Sequence, residues 1–470
     1  MLTYYLEQRG SMAIYEYIYQ CIKEDIISGR IRPSQKLPSK RAFAAHHDIS
    51  IITVENAYGQ LCDEGYITSI EKKGYFVNDI FSEALELKQN LSTNIQEKSS
   101  DFLCNLKNPC TEDIEINLAR NGSPTSIFPF NKWAHFLRKN IEFQFEDVPF
   151  CGTLRLRTAI SDYLFQFRRM KVNPTNIVIG AGAEYLYQLL MLLFGKESSY
   201  GVEDPCYDKI RKIYELGGAK TIAIPIDKDG MSVSKLNETI ANIAHISPSH
   251  HFPIGISMPI KRRLEFLSWA NTDTHRYIIE DEYATEFQYS MKPLASLQSM
   301  DVNSKVIYMN TFSKTISTSL RIGYMVLPND LMERLTSLAG FYSCTVSTLE
   351  QNTLAEFIES GSYESHINKL KKHYKQKRLD LLQSLENSPY NHKFRIIDFS
   401  SGTTFLIKLK TTQSDDSVLS MAHKNNINLC FLSRYYAKKN FNSHCFIVNY
   451  SLYENDIIMK ALNTIFKFLK

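Results

Sequence analysis

Val306-Ile307-Tyr308-Met309-Asn310-Thr311-Phe312-Ser313-Lys314, with Arg321-Ile322-Gly323-Tyr324 close behind it, is the stretch on which the reading of this chain turns. A short apolar run of this length reads as a buried strand. It opens into hydroxyl side chains and a single lysine. A lysine after a strand is ordinarily solvated, but one flanked by Thr311 and Ser313, with Arg321 following, has the setting of an amine nucleophile beside an anion site.

Upstream, the strand pattern recurs. Ile177-Val178-Ile179-Gly180-Ala181-Gly182-Ala183-Glu184 runs from an apolar strand through a glycine turn into a helical segment. Small residues there let backbone approach an anion, and the N–H groups opening the helix point at it. Such turns are common in α/β folds and carry little alone. Tyr277-Ile278-Ile279-Glu280-Asp281-Glu282-Tyr283 is a strand ending in carboxylates. Ligands of open α/β sheets sit beyond the carboxyl ends of strands, which places Asp281 to meet one. Asp281 and Glu282 would suit a metal, but neighbours on a strand point opposite ways, so one of them faces the site. Tyr207, in Asp204-Pro205-Cys206-Tyr207, is a loop aromatic able to stack on a ring or simply to pack. His250 and His251 are adjacent in a turn-rich loop without a cysteine or acidic partner nearby in sequence, which favours a loop role over metal ligation. No metal site is expected. From about Glu115 onward strand-like runs alternate with helical ones, the signature of an α/β domain with a mostly parallel sheet.

Residues 12–78 read differently. Ile14, Ile18, Cys21, Ile22 and Ile26 recur at helical spacing, and Gly29 ends that helix. Ser39 is an N-cap for a second helix, Lys40–His47, and Ser50 for a third, on which Val54, Ala57, Tyr58 and Leu61 share a face. Tyr66–Ile70 and Tyr75–Val77 then alternate around a turn. Three helices and a hairpin of this size make a winged helix-turn-helix. Basic and acidic side chains balance over the segment, but Arg30, Arg32, Lys36, Lys40 and Arg41 fall together with no acid among them, and Lys72 and Lys73 sit at the wing tip. Such a face meets phosphates, while the start of the third helix, with Ser50, Thr53 and Glu55, meets base edges. A merely solvated charged surface is the alternative. Residues 79–113 are polar and mixed and read as a linker, with a helical turn around Glu83–Lys88.

Two resemblances sharpen this. Leu37-Pro38-Ser39-Lys40-Arg41, Thr53-Val54, Ala57-Tyr58, Glu64-Gly65-Tyr66 and Gly74-Tyr75-Phe76-Val77 resemble the GntR-type winged helix over the whole of 12–78. That implies DNA contact by Arg41, by the start of the third helix and by the wing. The DNA-facing set is then Lys36, Ser39, Arg41, Ser50, Thr53, Lys72 and Lys73. Residues from about 115 to 460 resemble the fold-type I aminotransferases, which implies pyridoxal 5′-phosphate as cofactor. Lys314 would form the Schiff base, Asp281 pair with the pyridine nitrogen, Tyr283 bond the ring hydroxyl and Tyr207 stack on the ring. Gly182, Ala183, Ser313 and Arg321 would hold its phosphate, and Thr311 joins the cofactor-binding set. The combination resembles the MocR (GabR-like) regulators: a winged helix at 12–78, a linker at 79–113 and an aminotransferase-like domain at 114–470 with a smaller C-terminal subdomain. It implies a homodimer, commonly head-to-tail, that binds operator DNA and senses an amine or amino-acid effector, or the cofactor itself.

Departures bear on turnover. Phe252 precedes Pro253 where many aminotransferases carry asparagine, and no arginine stands in Asn442–Tyr450, where the carboxylate anchor is sought. Arg434 is the nearest candidate. Lys209 lies where the regulators can place an effector-binding arginine, but it is a point charge and not a fork. An aminotransferase that also binds DNA is the rival reading; a vitamin B6 sensor and a degenerate dimerisation domain are two others. The bulk numbers accommodate all of these. A length of 470 residues favours two or three domains, and the net charge of +4 makes no case for nucleic acid by itself. Nine cysteines form no CxxC pair, which argues against a zinc ribbon and suits a reducing cytoplasm. The first ten residues lack the apolar run of a signal peptide, and Leu186–Phe194 is too short to cross a bilayer, so no membrane association is expected.

Overall fold

The computed structural model describes residues 2–79, 115–122, 124–145, 147–289, 294–398, 401–438 and 441–469. The chain divides into two compact units, Met1–Glu112 and Asp113–Lys470. The expected linker lies, but for its first residue, outside the described residues, as does the helical turn expected within it.

The first unit contains α1 (Ile14–Ile27), α2 (Lys40–His47) and α3 (Ile51–Asp63), followed by the wing strands β1 (Ile67–Ile70) and β2 (Gly74–Val77) in antiparallel register from Ile67↔Val77 to Ile70↔Gly74. The caps are those the sequence suggests. Ser39 Oγ accepts from the Ala42 N–H at 3.2 Å and Ser50 Oγ from the Thr53 N–H at 3.1 Å, each satisfying a donor the helix cannot. Gly29 and Gly65, at φ +75° and +77°, turn the chain after α1 and α3 in the left-handed region. The core joins Ile18, Ile22 and Ile26 of α1 to Val54, Ala57, Tyr58 and Leu61 of α3. It also reaches upstream of residue 12. Leu2, Tyr4 and Leu6 pack against it, and the Tyr4 hydroxyl donates to Asp25 at 2.7 Å, a strap that carries no helical period to announce it.

The second unit is built on an eight-stranded sheet of order β4-β11-β10-β9-β8-β5-β6-β7. Its strands are β4 (Ile177–Gly180), β5 (Ser199–Asp204), β6 (Lys220–Asp227), β7 (Gly230–Met231), β8 (Ile243–Ile246), β9 (Tyr277–Glu282), β10 (Val306–Thr311) and β11 (Gly323–Val326). The run β10-β9-β8-β5-β6 is parallel; β11 is antiparallel to both of its neighbours. The period of two sends alternate residues to different layers. Val178, Ile307, Met309 and Met325 pack with helices α5 (Ala183–Phe194), α6 (Asp208–Leu216) and α8 (Asn329–Ala339). Ile177, Ile179, Tyr308 and Tyr324 pack on the other face with α4 (Leu154–Arg168). A further cluster packs α7 (Ile260–Asn271) against Ile246, Ile278 and Val306. A smaller layer carries an antiparallel sheet, β12 (Phe394–Ile397), β13 (Thr404–Leu409) and β15 (Cys445–Asn449). The short β3 (Ile116–Asn117) pairs in parallel with β14 (Ile427–Asn428), so the start of the unit is bonded into its end. Among the described residues no helix is long and apolar enough to cross a membrane.

Leu61 is fully buried between α1 and the wing. Leu61→Ala should therefore cost about 2–5 kcal/mol, read as faster amide hydrogen exchange in α1 and α3. Unchanged protection there would refute its place in the core.

Candidate functional site

Three strands of the large sheet deliver polar side chains to one end. β9, β5 and β10 finish in Glu280-Asp281-Glu282, Glu203-Asp204 and Asn310-Thr311, and β4 ends in Gly180 ahead of the glycine turn. A cavity of about 200 Å³ opens there, lined among others by Asn121, Ala183, Tyr187, Glu203, Tyr207, His245, Phe252, Asp281, Tyr283, Thr311, Ser313 and Lys314.

The three acids of β9 separate by alternation. Asp281 faces the cavity, where its Oδ2 accepts from the Tyr187 hydroxyl at 2.5 Å and lies 3.2 Å from His245 Nε2. The Tyr214 hydroxyl lies 2.8 Å from the other ring nitrogen of His245, so a chain of side chains from α5, α6 and β8 orients one carboxylate. Glu280 and Glu282 do not line the cavity. Glu280 accepts the N–H groups of Leu297 and Gln298, each at 2.9 Å, and lies 3.6 Å from Arg263. Glu282 accepts from the Ser249 hydroxyl and lies 3.6 Å from Arg168. Both are buried, and burial holds each above the usual carboxylate range.

Lys314 follows β10. Its Nζ donates to Asn121 Oδ1 and lies 5.8 Å from the centre of the Tyr283 ring. Burial pushes its ammonium down to about 8, because a charge in a poorly solvated place is disfavoured. Asn121 also accepts from Asn449 Nδ2 at 2.5 Å, which ties the lysine to β15 of the small layer. The Tyr283 hydroxyl is buried and has no hydrogen-bond partner among the described residues. An unmade bond of this kind is costly unless a ligand completes it. Tyr207 stands at the rim with its ring 5.7 Å from that of Phe252, edge to face. Gly182 has φ +83°, and a Cβ there would lie 2.8 Å from the guanidinium of Arg321, so the turn and the arginine form a close cradle at the start of α5. An aromatic ring bearing an aldehyde, a hydroxyl and a phosphate matches this donor set: an amine, an acid, an unpartnered hydroxyl and a cationic cradle.

The predicted residues divide accordingly. Lys314, Asp281, Tyr283, Tyr207, Ala183, Thr311 and Ser313 share the cavity wall. Gly182 and Arg321 meet beside it. Lys209 and Arg434 are not on that wall. Lys209 pairs with Glu184 at 2.6 Å, and the same carboxylate takes Arg321 at 3.1 Å, so the two cations share an acid from the first turn of α5. Arg434 is exposed in the turn Leu432–Tyr435. His250 and His251 are buried loop residues: His250 Nδ1 lies 2.8 Å from Ser401 Oγ and His251 Nε2 lies 3.0 Å from the Pro205 carbonyl. Burial holds them down to about 3 and about 4.

Sequence reasoning missed Asn121, Tyr187, Glu203 and His245. Tyr187 is one turn beyond Ala183 on the same helix, and that spacing could have exposed it. His245 and Asn121 carried no signal. Glu203 is buried in the wall, accepts the Ser247 N–H at 3.0 Å, and is pushed up to about 8 by burial.

In the first unit Lys36, Ser39, Arg41, Ser50, Lys72 and Lys73 are all exposed. Two expectations need amendment. Ser50 Oγ is 2.8 Å from Thr53 Oγ1, so these hydroxyls bond each other. The basic stretch does not stand clear of acid, because Lys40 pairs with Glu55 of α3 at 2.5 Å and Arg30 with Asp25 at 3.1 Å.

Comparison with known proteins agrees with both halves. Residues 116–430 match the family described as aminotransferase class I and II, and residues 14–77 the bacterial regulatory proteins of the gntR family. The chain is 34% identical over 432 residues to the uncharacterized HTH-type transcriptional regulator YdeL of Bacillus subtilis, covering 91% of each. It is 28% identical to the HTH-type pyridoxine biosynthesis transcriptional regulator PdxR of Corynebacterium glutamicum, over 88% of this chain and 87% of that one. An archaeal alanine:glyoxylate aminotransferase superposes with a TM-score of 0.68 at 22% identity, over 75% of this chain and 90% of that structure, a likeness of fold. With a gntR winged helix ahead of an aminotransferase class I and II domain, and an HTH-type transcriptional regulator similar to it along nearly its whole length, the chain belongs to the MocR-like HTH-type transcriptional regulators.

Proposed function

We propose that the large unit of this DNA-binding regulator holds pyridoxal 5′-phosphate, and that the chain senses an amine or amino-acid effector, or the cofactor itself, at Lys314. The observation that carries this reading is one cavity wall bearing the Lys314 amine, the Asp281 carboxylate and the unpartnered Tyr283 hydroxyl. When bound, the cofactor supplies an aldehyde for which Lys314 and an incoming primary amine compete. The chain's own groups do the rest. Asp281, oriented by Tyr187 and His245, would face the pyridine nitrogen; Tyr283 would bond the ring hydroxyl; Tyr207 would cover the ring. Gly182, Ala183, Thr311, Ser313 and Arg321 would take the phosphate, drawing Arg321 from Glu184. Asn121 holds the Lys314 amine in place.

Lys209 and Arg434 remain the candidates for an effector carboxylate. The engagement of Lys209 by Glu184, and the absence of arginine from β15, favour an effector without one. Regulation requires that the effector bind two poses of the large unit unequally. We place the chain in the cytoplasm as a head-to-tail homodimer, in which that difference passes through residues 79–113 to the winged helices. Sustained turnover with an amino acid and a keto acid would instead favour the aminotransferase reading.

Adding pyridoxal phosphate to the apoprotein should produce an absorbance band near the visible edge that Lys314→Ala lacks. Only the neutral amine condenses, so the rate of capture should climb as pH rises through about 8; a flat profile would refute the burial argument. For the DNA face, Arg41→Ala should weaken binding and lower the slope of log K against log salt by about one. An unchanged slope would remove Arg41 from the phosphate contacts.

A further inference from the structure

The second helix of a helix-turn-helix enters the major groove with its first residues at the base edges. In this chain that is α3, and its helical period divides it cleanly. Val54, Ala57, Tyr58 and Leu61 are completely buried, which turns Ile52, Glu55, Asn56 and Gly59 outward. The polar groups at its start are already engaged. Ser50 caps the helix and bonds Thr53, and Glu55 is paired with Lys40. What remains facing out is apolar: Ile51 is 45% exposed and Ile52 68%. No lysine or arginine occurs between Ile51 and Asp63.

These facts point to particular base chemistry. Guanine offers two acceptors in the major groove and is read by arginine or lysine, and α3 has neither. The apolar feature on that groove floor is the C5-methyl of thymine, and asparagine pairs with adenine through two bonds. The same unit also exposes the cations Lys36, Arg41, Lys72 and Lys73. Apolar side chains at the start of this helix suit a methyl-bearing groove floor, and exposed cations on the same unit suit the phosphates beside it.

We propose that Ile52 is the specificity-determining residue of this winged helix and reads a thymine C5-methyl, with Asn56, one turn further on, reading an adjacent adenine. The inference deepens the DNA-binding reading and rests on α3 being the helix in the groove.

The test uses the full-length chain. It selects duplexes from a random-sequence library, and the most enriched duplex becomes the probe. That duplex is remade with deoxyuridine in place of each thymidine in turn, which removes only the methyl group. Loss of the methyl facing Ile52 should weaken binding about fourfold per half-site, the worth of burying one such group. Ile52→Ala should bind the thymine duplex correspondingly less well and be indifferent to that methyl. Ile52→Val, which keeps a branched apolar tip, should still discriminate. Arg41→Ala should weaken both duplexes equally. Enriched sites carrying guanine opposite α3, deoxyuridine tolerated everywhere, or methyl preference surviving Ile52→Ala would each overturn the proposal while leaving the DNA-binding role intact. A shift of Ile52→Ala to another oligomeric state at unaltered DNA affinity would overturn it too, by making the isoleucines a protein contact. Failure of the full-length chain to enrich any duplex would overturn both the proposal and the assignment of α3 to the groove.

Discussion

Three consecutive acids in a buried strand would be untenable if they shared an environment, and the large unit is organised around keeping them apart. The two-residue period of β9 puts Glu280 and Glu282 on one side of the sheet and Asp281 on the other. On the first side helix-start N–H groups, Ser249, Arg263 and Arg168 compensate the charge. On the other, Tyr187 and His245 orient Asp281 toward the cavity, where a ligand can meet it. Breaking any buried ion pair here would strand a charge, so the arrangement specifies the strand's register as firmly as its apolar contacts do.

That arrangement explains why the cavity lies where it does. A parallel run of strands brings β5, β8, β9 and β10 to the same end, and the antiparallel β11 returns the chain so that Arg321 lands beside the glycine turn that follows β4. The small layer is tied to the site through Asn449, Asn121 and Lys314. The winged unit follows a different logic. Its own core holds three helices and a hairpin, and its functional surface is whatever that core leaves outward. The lysine cavity is made by burial and the surface of the winged unit by exposure.

Much of this was legible beforehand because it rests on local rules. Ser39 and Ser50 are caps wherever they precede helical spacing, and alternation in Tyr277–Glu282 announces a strand with one acid toward the ligand. The cavity-wall set of Lys314, Asp281, Tyr283, Tyr207, Ala183, Thr311 and Ser313 came from the resemblance to the fold-type I aminotransferases, laid over motifs at strand ends. The misses have a common character. Asn121 meets a lysine nearly two hundred residues away, His245 meets Asp281 across a sheet, and Glu55 reaches back to Lys40. No period within one segment encodes such pairs. The pairing of Lys209 was hidden for the same reason, since its carboxylate partner comes from the first turn of another helix.

The amino-acid order alone determined the two units, the kinds of elements in each and the residue types available for chemistry, because propensity, capping and periodicity act over a few neighbouring residues. Only the tertiary structure decided which polar groups converge, which are already engaged by one another and which are left to meet a ligand. Those outcomes depend on strand order and on close packing of side chains distant in sequence, and both are settled by the core as a whole.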